Sequence, residues 1–300
     1  MAQQVTVTLL KTLGTSFNAL FQGGLGQVES QWQSLATEVP SSTGKNEYGW
    51  LGKFPKMREW FGDRVVHGME AHGYAIRNRD FELTIGVDRN DIEDDNIGIY
   101  NPLFTEMGMS AAAHPDEMVW ELWQAAFDSE CYDGQNFFDT DHPVRDADGA
   151  KVSISNMQAG AGPAWYLIDD THALKPMIFQ RRKNANFVAK DNVTDENVFS
   201  RKEFNYGIDC RDNVGFGFWQ FAYGSKATLD GDNYGSARAA LRNMKGDGGR
   251  KIGVRPRTLI VPPSLEKKGL QLVNATNDAA GASNVWQGTA KLMVADWLDG

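Results

Sequence analysis

The sequence predicts an α+β fold, and three observations carry that prediction. Apolar residues recur at helical spacing near the N-terminus and again after residue 101; strict alternation marks residues 81–88; short β-type runs crowd residues 165–227 before helical spacing returns. Helices and strands segregated along a chain point to α+β rather than to the βαβα alternation of a parallel sheet.

Leu9, Leu13, Phe17, Leu20 and Phe21 fall at steps of three and four, which predicts one amphipathic helix ended by Gly23 and Gly24. Such a helix is either docked on its own domain or laid as an arm on a neighbour. From Ser41 to Asp80, Gly44, Gly49, Gly52, Pro55, Gly62, Gly68 and Gly73 interrupt any helix, and a long protruding hairpin is expected. Within it Tyr48, Trp50, Leu51, Phe54, Trp60 and Phe61 are more apolar surface than a free loop shows to water. A partner is expected to cover them, the alternative being that they fold back on the chain's own core.

Phe81, Leu83, Ile85 and Val87 alternate with polar residues and glycine, the period of a half-buried strand. Asn101-Pro102 reads as a helix cap and first position, followed by Leu103, Phe104, Met107 and Ala111 on one face. Pro115 predicts a kink or a fresh start near His114, with Asp116 and Glu117 in a new first turn. Met118, Val119, Leu122, Trp123, Ala126 and Phe127 then give a broad core-packing face. The run after Cys131 is a turn-rich connector, and 165–227 is mostly sheet. A helix over 232–245, a strand over 258–261, a short helix over 265–273 and a strand over 291–297 complete the chain.

Composition bounds the function. With 300 residues, 41% of them hydrophobic and a net charge of −9, the chain can bury a real core, and 9 Trp, 8 Tyr and 16 Phe supply large rigid contact surfaces. The negative charge argues against tight sequence-independent binding to DNA, which depends on Lys and Arg displacing counterions. Enclosing DNA is compatible with it, because a wall that repels the polymer does not trap it. No apolar run reaches membrane-spanning length, the N-terminus lacks signal-peptide features, and Cys131 and Cys210 lack CxxC spacing. A protein made in the cytosol, with two buried thiols and no membrane partner, is expected.

Candidate chemistry is sparse. Asp133, Asp139, Asp141 and His142 could converge on a cation, but the same residues before a proline are what turns use, and the turn reading is preferred. Residues 88–95 hold five carboxylates against Arg89 alone, without the Gly and distal Glu of a calcium loop, and are expected to form a charged surface. Gly246 to Lys251 follows a helix instead of preceding one, so a helix C-cap explains it better than a phosphate loop. Nothing supports nucleophilic catalysis; no catalytic residue, cofactor or metal ligand is assigned.

Several blocks carry a resemblance. Tyr-Gly-Trp-Leu-Gly-Lys-Phe-Pro at 48–55, Arg-Glu-Trp at 58–60, Met-Glu-Ala-His-Gly-Tyr at 69–74 and Glu-Asp-Asp-Asn-Ile-Gly-Ile-Tyr at 93–100 come first. Cys-Tyr-Asp-Gly-Gln-Asn-Phe-Phe-Asp at 131–139, Lys-Pro-Met-Ile-Phe-Gln at 175–180, Gly-Phe-Gly-Phe-Trp-Gln at 215–220 and Val-Pro-Pro-Ser-Leu-Glu at 261–266 follow in order. Across nearly its whole length the chain resembles the major head subunits of Mu-like phages and prophages. The resemblance implies the tailed-phage capsid fold of the Hong Kong ninety-seven type. It divides the chain into an N-terminal arm (1–40), an extended loop (41–80), a peripheral domain (81–230) and an axial domain (231–300). The peripheral domain would hold a spine helix at 101–129 and the β-rich block 165–227.

It also implies a structural protein that forms pentamers and hexamers of an icosahedral shell around double-stranded DNA, assembled in the host cytoplasm and ending in the virion. Expected partners are other copies of itself, a scaffold or protease, a portal and decoration proteins. Subunit contacts are expected at Leu13, Phe17, Leu20, Phe21, Tyr48, Trp50, Leu51, Phe54 and Trp60. Lys53, Lys56 and Arg58 are expected to face Asp91, Glu93 and Asp94 of the next subunit. The competing readings are an encapsulin-like compartment, a metal-dependent hydrolase built on Asp133 to His142, and a carbohydrate-binding β module.

Overall fold

The computed structural model describes residues 4–52, 73–278 and 280–298. Helix α1 (Val7–Leu25) leads to strands β1 (Ala36–Pro40) and β2 (Lys45–Glu47). Strands β3 (Ala75–Arg77) and β4 (Arg79–Asp88) precede the short helix α2 (Arg89–Glu93) and the long α3 (Asn101–Gln124). Then come β5 (His142–Arg145), β6 (Lys151–Ile154), β7 (Met157–Gln158), β8 (Trp165–Ile168), β9 (Met177–Lys190), α4 (Glu196–Arg201), β10 (Glu203–Phe216) and β11 (Ala222–Ser225). Helix α5 (Gly231–Arg242), β12 (Thr258–Val261), α6 (Glu266–Val273) and β13 (Lys291–Val294) finish the chain.

The first sheet runs β1-β9-β10-β4. Its centre is the antiparallel pair β9 and β10, 14 residues each, with Met177 opposite Phe216 and Lys190 opposite Asn205. Strand β4 adds to β10 with Phe81 opposite Cys210 and Val87 opposite Phe204, as the alternation over 81–88 predicts. On the far edge β1 lies parallel to β9, where its terminal Pro40 costs no interior hydrogen bond. The last part of the expected arm is therefore an edge strand of this sheet.

Helix α1 does not stop at Gly23 and Gly24 but continues to Leu25, because α3 crosses it there. A Cβ on Gly24 would sit 2.1 Å from the Thr105 carbonyl oxygen, and one on Gly108 would sit 2.2 Å from that of Phe21. The two backbones touch through paired glycines. Around this crossing Leu10, Leu13, Phe17, Phe21, Val87, Phe104, Met107, Phe204 and Tyr206 form a separate small core, with Phe17 stacked on Phe104 at 4.0 Å.

Helix α3 continues through Pro115 with no fresh start. The proline removes one backbone donor, and the packing of the buried Met118, Val119, Trp120 and Trp123 outweighs that loss. Asp116 is not a first-turn residue. Its buried carboxylate accepts from the backbone N–H groups of Gln31 (2.9 Å) and Trp32 (2.8 Å), fixing the segment that enters β1. Asp116→Ala is expected to cost about 3 kcal/mol, since two charge-assisted bonds to buried donors are lost; urea unfolding of the unassembled chain measures this.

The second sheet runs β13-β12-β8-β11-β7. Strands β8 and β12 are buried at every position, which explains why they read as continuous apolar runs. The β-rich block thus divides: β9 and β10 belong to the first sheet, while β8 and β11 pair with each other in the second, where β8 also pairs with β12, across the boundary expected at 230. The expected strand over 291–297 ends at Val294, followed by a helical turn. The main core, with Trp120, Trp123, Trp165 and Trp219 fully buried, lies under this sheet. Helix α3 joins the two cores, Phe104 and Met107 in one, Trp120 and Trp123 in the other.

Strands β2 and β3 pair antiparallel, with Lys45 opposite Arg77 and Glu47 opposite Ala75, closing the base of the expected hairpin. Lys53, Phe54, Lys56, Arg58 and Trp60 lie outside the described residues. Among the described residues, no helix is long and apolar enough to cross a membrane.

Candidate functional site

The Asp133 to His142 cluster is built by a turn that folds back on itself. Asp133 Oδ1 accepts from the Gln135 N–H (3.1 Å) and the Cys131 thiol (3.1 Å), and Oδ2 lies 2.8 Å from His142 Nδ1. The other ring nitrogen faces Asn156 Oδ1 at 3.2 Å. The Asn156 amide is fixed in that orientation: its Nδ2 donates to the Phe137 carbonyl (2.8 Å) while its Oδ1 accepts from the Asp139 N–H (2.9 Å). Each ring nitrogen of His142 thus faces an oxygen, a carboxylate oxygen of Asp133 on one side and the amide oxygen of Asn156 on the other. The ring is fully buried and stacks on Trp219 at 3.9 Å.

Burial disfavours the charged form of Asp133, but the hydrogen bond and charge of His142, the Cys131 thiol and the Gln135 N–H outweigh it and hold the carboxyl below its ordinary range. Asp139 instead accepts from the Thr140 N–H (2.6 Å) and shares a hydrogen bond with the exposed Asp141, whose carboxyl is raised as a result. The four residues are thus two units, a buried pair and a surface turn.

Among the described residues, two donor sets have atoms within 4.8 Å of one another, Cys131–Asp133–His142 and His114–Cys210–Asp212. In the first, every donor atom is committed to a hydrogen bond inside the cluster, and burial pushes the Cys131 thiol far above its usual range, away from the thiolate a metal prefers. The arrangement is a structural clamp closing the 131–142 turn on the main core. Asn156 and Trp219 were not foreseeable partners, because only the folded chain brings them to His142.

The expected contact residues separate by environment. Leu13, Phe17 and Phe21 are buried in the chain's own small core and Leu20 is half-buried, so a neighbour touching α1 would use its other face. Tyr48 and Leu51 are buried in the main core, with the Tyr48 hydroxyl donating to Gln180 Oε1 (2.7 Å) and Trp50 packed beside Phe218. These three fold back on the chain itself. In the acidic strip, Asp91 accepts from the Tyr100 hydroxyl (2.6 Å) and Glu93 pairs with Arg89 (2.7 Å), leaving Asp94 and Asp95 exposed.

The family model described as Mu-like prophage major head subunit gpT matches residues 10–298. The major capsid protein of Escherichia phage Mu is 46% identical, the alignment covering 98% of this chain and 99% of that protein. The Mu-like prophage FluMu major head subunit of Haemophilus influenzae is 40% identical with the same coverage. A chain from the procapsid of bacteriophage JBD30 superposes with a TM-score of 0.87 at 46% identity, covering 98% of this chain and 100% of that one. A chain from the JBD30 capsid gives 0.78 at 35% identity, covering 99% and 100%.

Two cores spanned by one long helix, with a long antiparallel hairpin in the outer sheet, therefore define a tailed-phage capsid subunit of the Hong Kong ninety-seven type. The chain belongs to the Mu-like prophage major head subunit family. Its role is that of a major capsid protein, a structural component of the virion head.

Proposed function

We propose that the chain builds the head by self-association into pentamers and hexamers, closing an icosahedral shell around double-stranded DNA in the host cytoplasm. The observation that carries this is the full-length similarity, in sequence and backbone, to a chain drawn from a procapsid. Strand β4, α3, β9 and β10 form the peripheral part; β8 and β11 to β13 with α5 and α6 form the axial part. A scaffold or protease, a portal and decoration proteins complete the assembly. No catalytic role is assigned.

Between subunits, Lys53, Lys56 and Arg58 are proposed to meet the acidic strip of the next copy. Asp94 is its most available member, since Asp91 and Glu93 already have partners in their own chain. Phe54 and Trp60 would supply the apolar contact. Exposed ion pairs are worth about 0–1 kcal/mol each, so they steer assembly more than they hold the finished shell. The purified chain is expected to form megadalton particles by electron microscopy. Reversing Lys53, Lys56 and Arg58 to Glu should slow their formation at low salt, and Asp94→Lys should partly restore it. Particles forming at the wild-type rate in the triple variant would remove the electrostatic pairing, and a small stable oligomer from the wild-type chain would remove the shell.

A further inference from the structure

One surface of the axial part has a charge opposite to that of the whole molecule. A cleft of about 790 Å³ lies between the C-terminal half of α5, the chain entering β12 and the chain entering β13. Arg238, Arg242, Arg255, Arg257 and Lys291 line it against a single carboxylate, Asp170, in a chain whose net charge is −9. Asp170 is itself engaged, accepting from the Thr258 hydroxyl at 2.9 Å. Arg238 is braced in the wall: its Nη1 donates to the carbonyls of Pro256 and Thr289, each at 3.0 Å, leaving Nε and Nη2 uncommitted by those bonds. Arg242, Arg255, Arg257 and Lys291 are exposed, and among the described residues none is ion-paired.

Five cations gathered from three separate segments repel one another unless an anion joins them. One carboxylate would offset one of them, so the fitting ligand carries several negative charges on a compact body. Guanidinium forks match the tetrahedral oxygens of phosphate, and the volume is that of a small-molecule site. We propose that this cleft is a binding site for phosphate-class anions, one per subunit. The phosphate comes either from a small soluble polyphosphate or from the backbone of enclosed DNA. The site is independent of the subunit contacts proposed above.

The test is calorimetric titration of the full-length chain with inorganic tripolyphosphate. Saturable binding at one per subunit is expected, weakening in the order tripolyphosphate, pyrophosphate, phosphate. Arg255→Gln and Arg257→Gln should each weaken it roughly tenfold, the loss of one charge-assisted contact. Lys291→Glu, on the neighbouring strand β13, should do at least as much, and Lys267→Gln, on α6 outside the cleft, should do nothing. Short duplex DNA that displaces tripolyphosphate, with the same residues required, assigns the phosphate to nucleic acid; duplex that fails to compete assigns it to the small anion. Either result keeps the site. No saturable binding, or binding unchanged in the Arg255→Gln, Arg257→Gln double variant, overturns it. So does a double variant that folds but fails to assemble when the wild type binds no tripolyphosphate, because the cleft then receives an acidic face of a second copy.

Discussion

Gly108→Ala is expected to destabilise the chain by about 3 kcal/mol, although it adds a single methyl group. The added carbon would sit 2.2 Å from the Phe21 carbonyl oxygen, and no rotamer change relieves a clash with backbone. Helix α1 must lift from α3, so that Phe17, now 1% exposed, loses its packing against Phe104 and Tyr206, and Phe21, 0% exposed, loses its packing against Phe187. Gly23→Ala is the control: nothing lies within 4 Å of its new Cβ, and replacing a helical glycine there should be neutral or slightly stabilising. Urea midpoints for the two variants, with proteolysis at Lys11 to report on release of α1, make the comparison. Equal stability in both would mean that the crossing yields without cost.

Removing His142 should have an effect of similar size, about 3–5 kcal/mol, because it strips a partner from a largely buried carboxylate. His142→Phe keeps an aromatic ring against Trp219 but leaves Asp133 Oδ2 and Asn156 Oδ1 without the imidazole. The same pair predicts a pH dependence. A carboxyl depressed on folding contributes stability above its unfolded range, near pH ~4, and that stability is lost as pH falls through the lower folded value. Wild-type stability should therefore decline below about pH 4 in part through Asp133, and His142→Phe should lose that part of the slope. Identical pH profiles for the two proteins would reduce the cluster to simple packing.

Elements whose signals are local were legible in the sequence. The alternation of Phe81 to Val87, the Thr258–Val261 run and the apolar face of α5 depend only on neighbours in the chain, and each formed an element of the expected type, α5 ending at Arg242 instead of 245. Gly24 and Pro115 were misread for one reason. Each is a breaker by local rules, and each is overruled by a surface arriving from elsewhere, α3 against Gly24 and the main core against Pro115. Sheet membership of β8 and β11 could not be read at all, because an apolar strand does not announce which partner it pairs with. The same limit applies to His142, whose type and turn context were visible while Asn156 and Trp219 were not. The basic cleft escaped because its cations are scattered over α5 and two connecting segments, so that no window of sequence shows the concentration.

The order of strands in the first sheet sets a timetable for synthesis on the ribosome. Both outer strands, β1 and β4, are made before either central strand exists, and neither pairs with the other. From the completion of β4 to that of β10 the nascent chain needs on the order of ten seconds. Throughout that interval two unpaired edges, with Phe81, Ile85 and Val87 on one of them, stand open to pairing with other emerging chains. A protein made in many copies at once is thus most exposed to misassociation before its own hairpin is finished. Slowing translation between residues 88 and 216 should lower soluble yield, while slowing it after 216 should spare it.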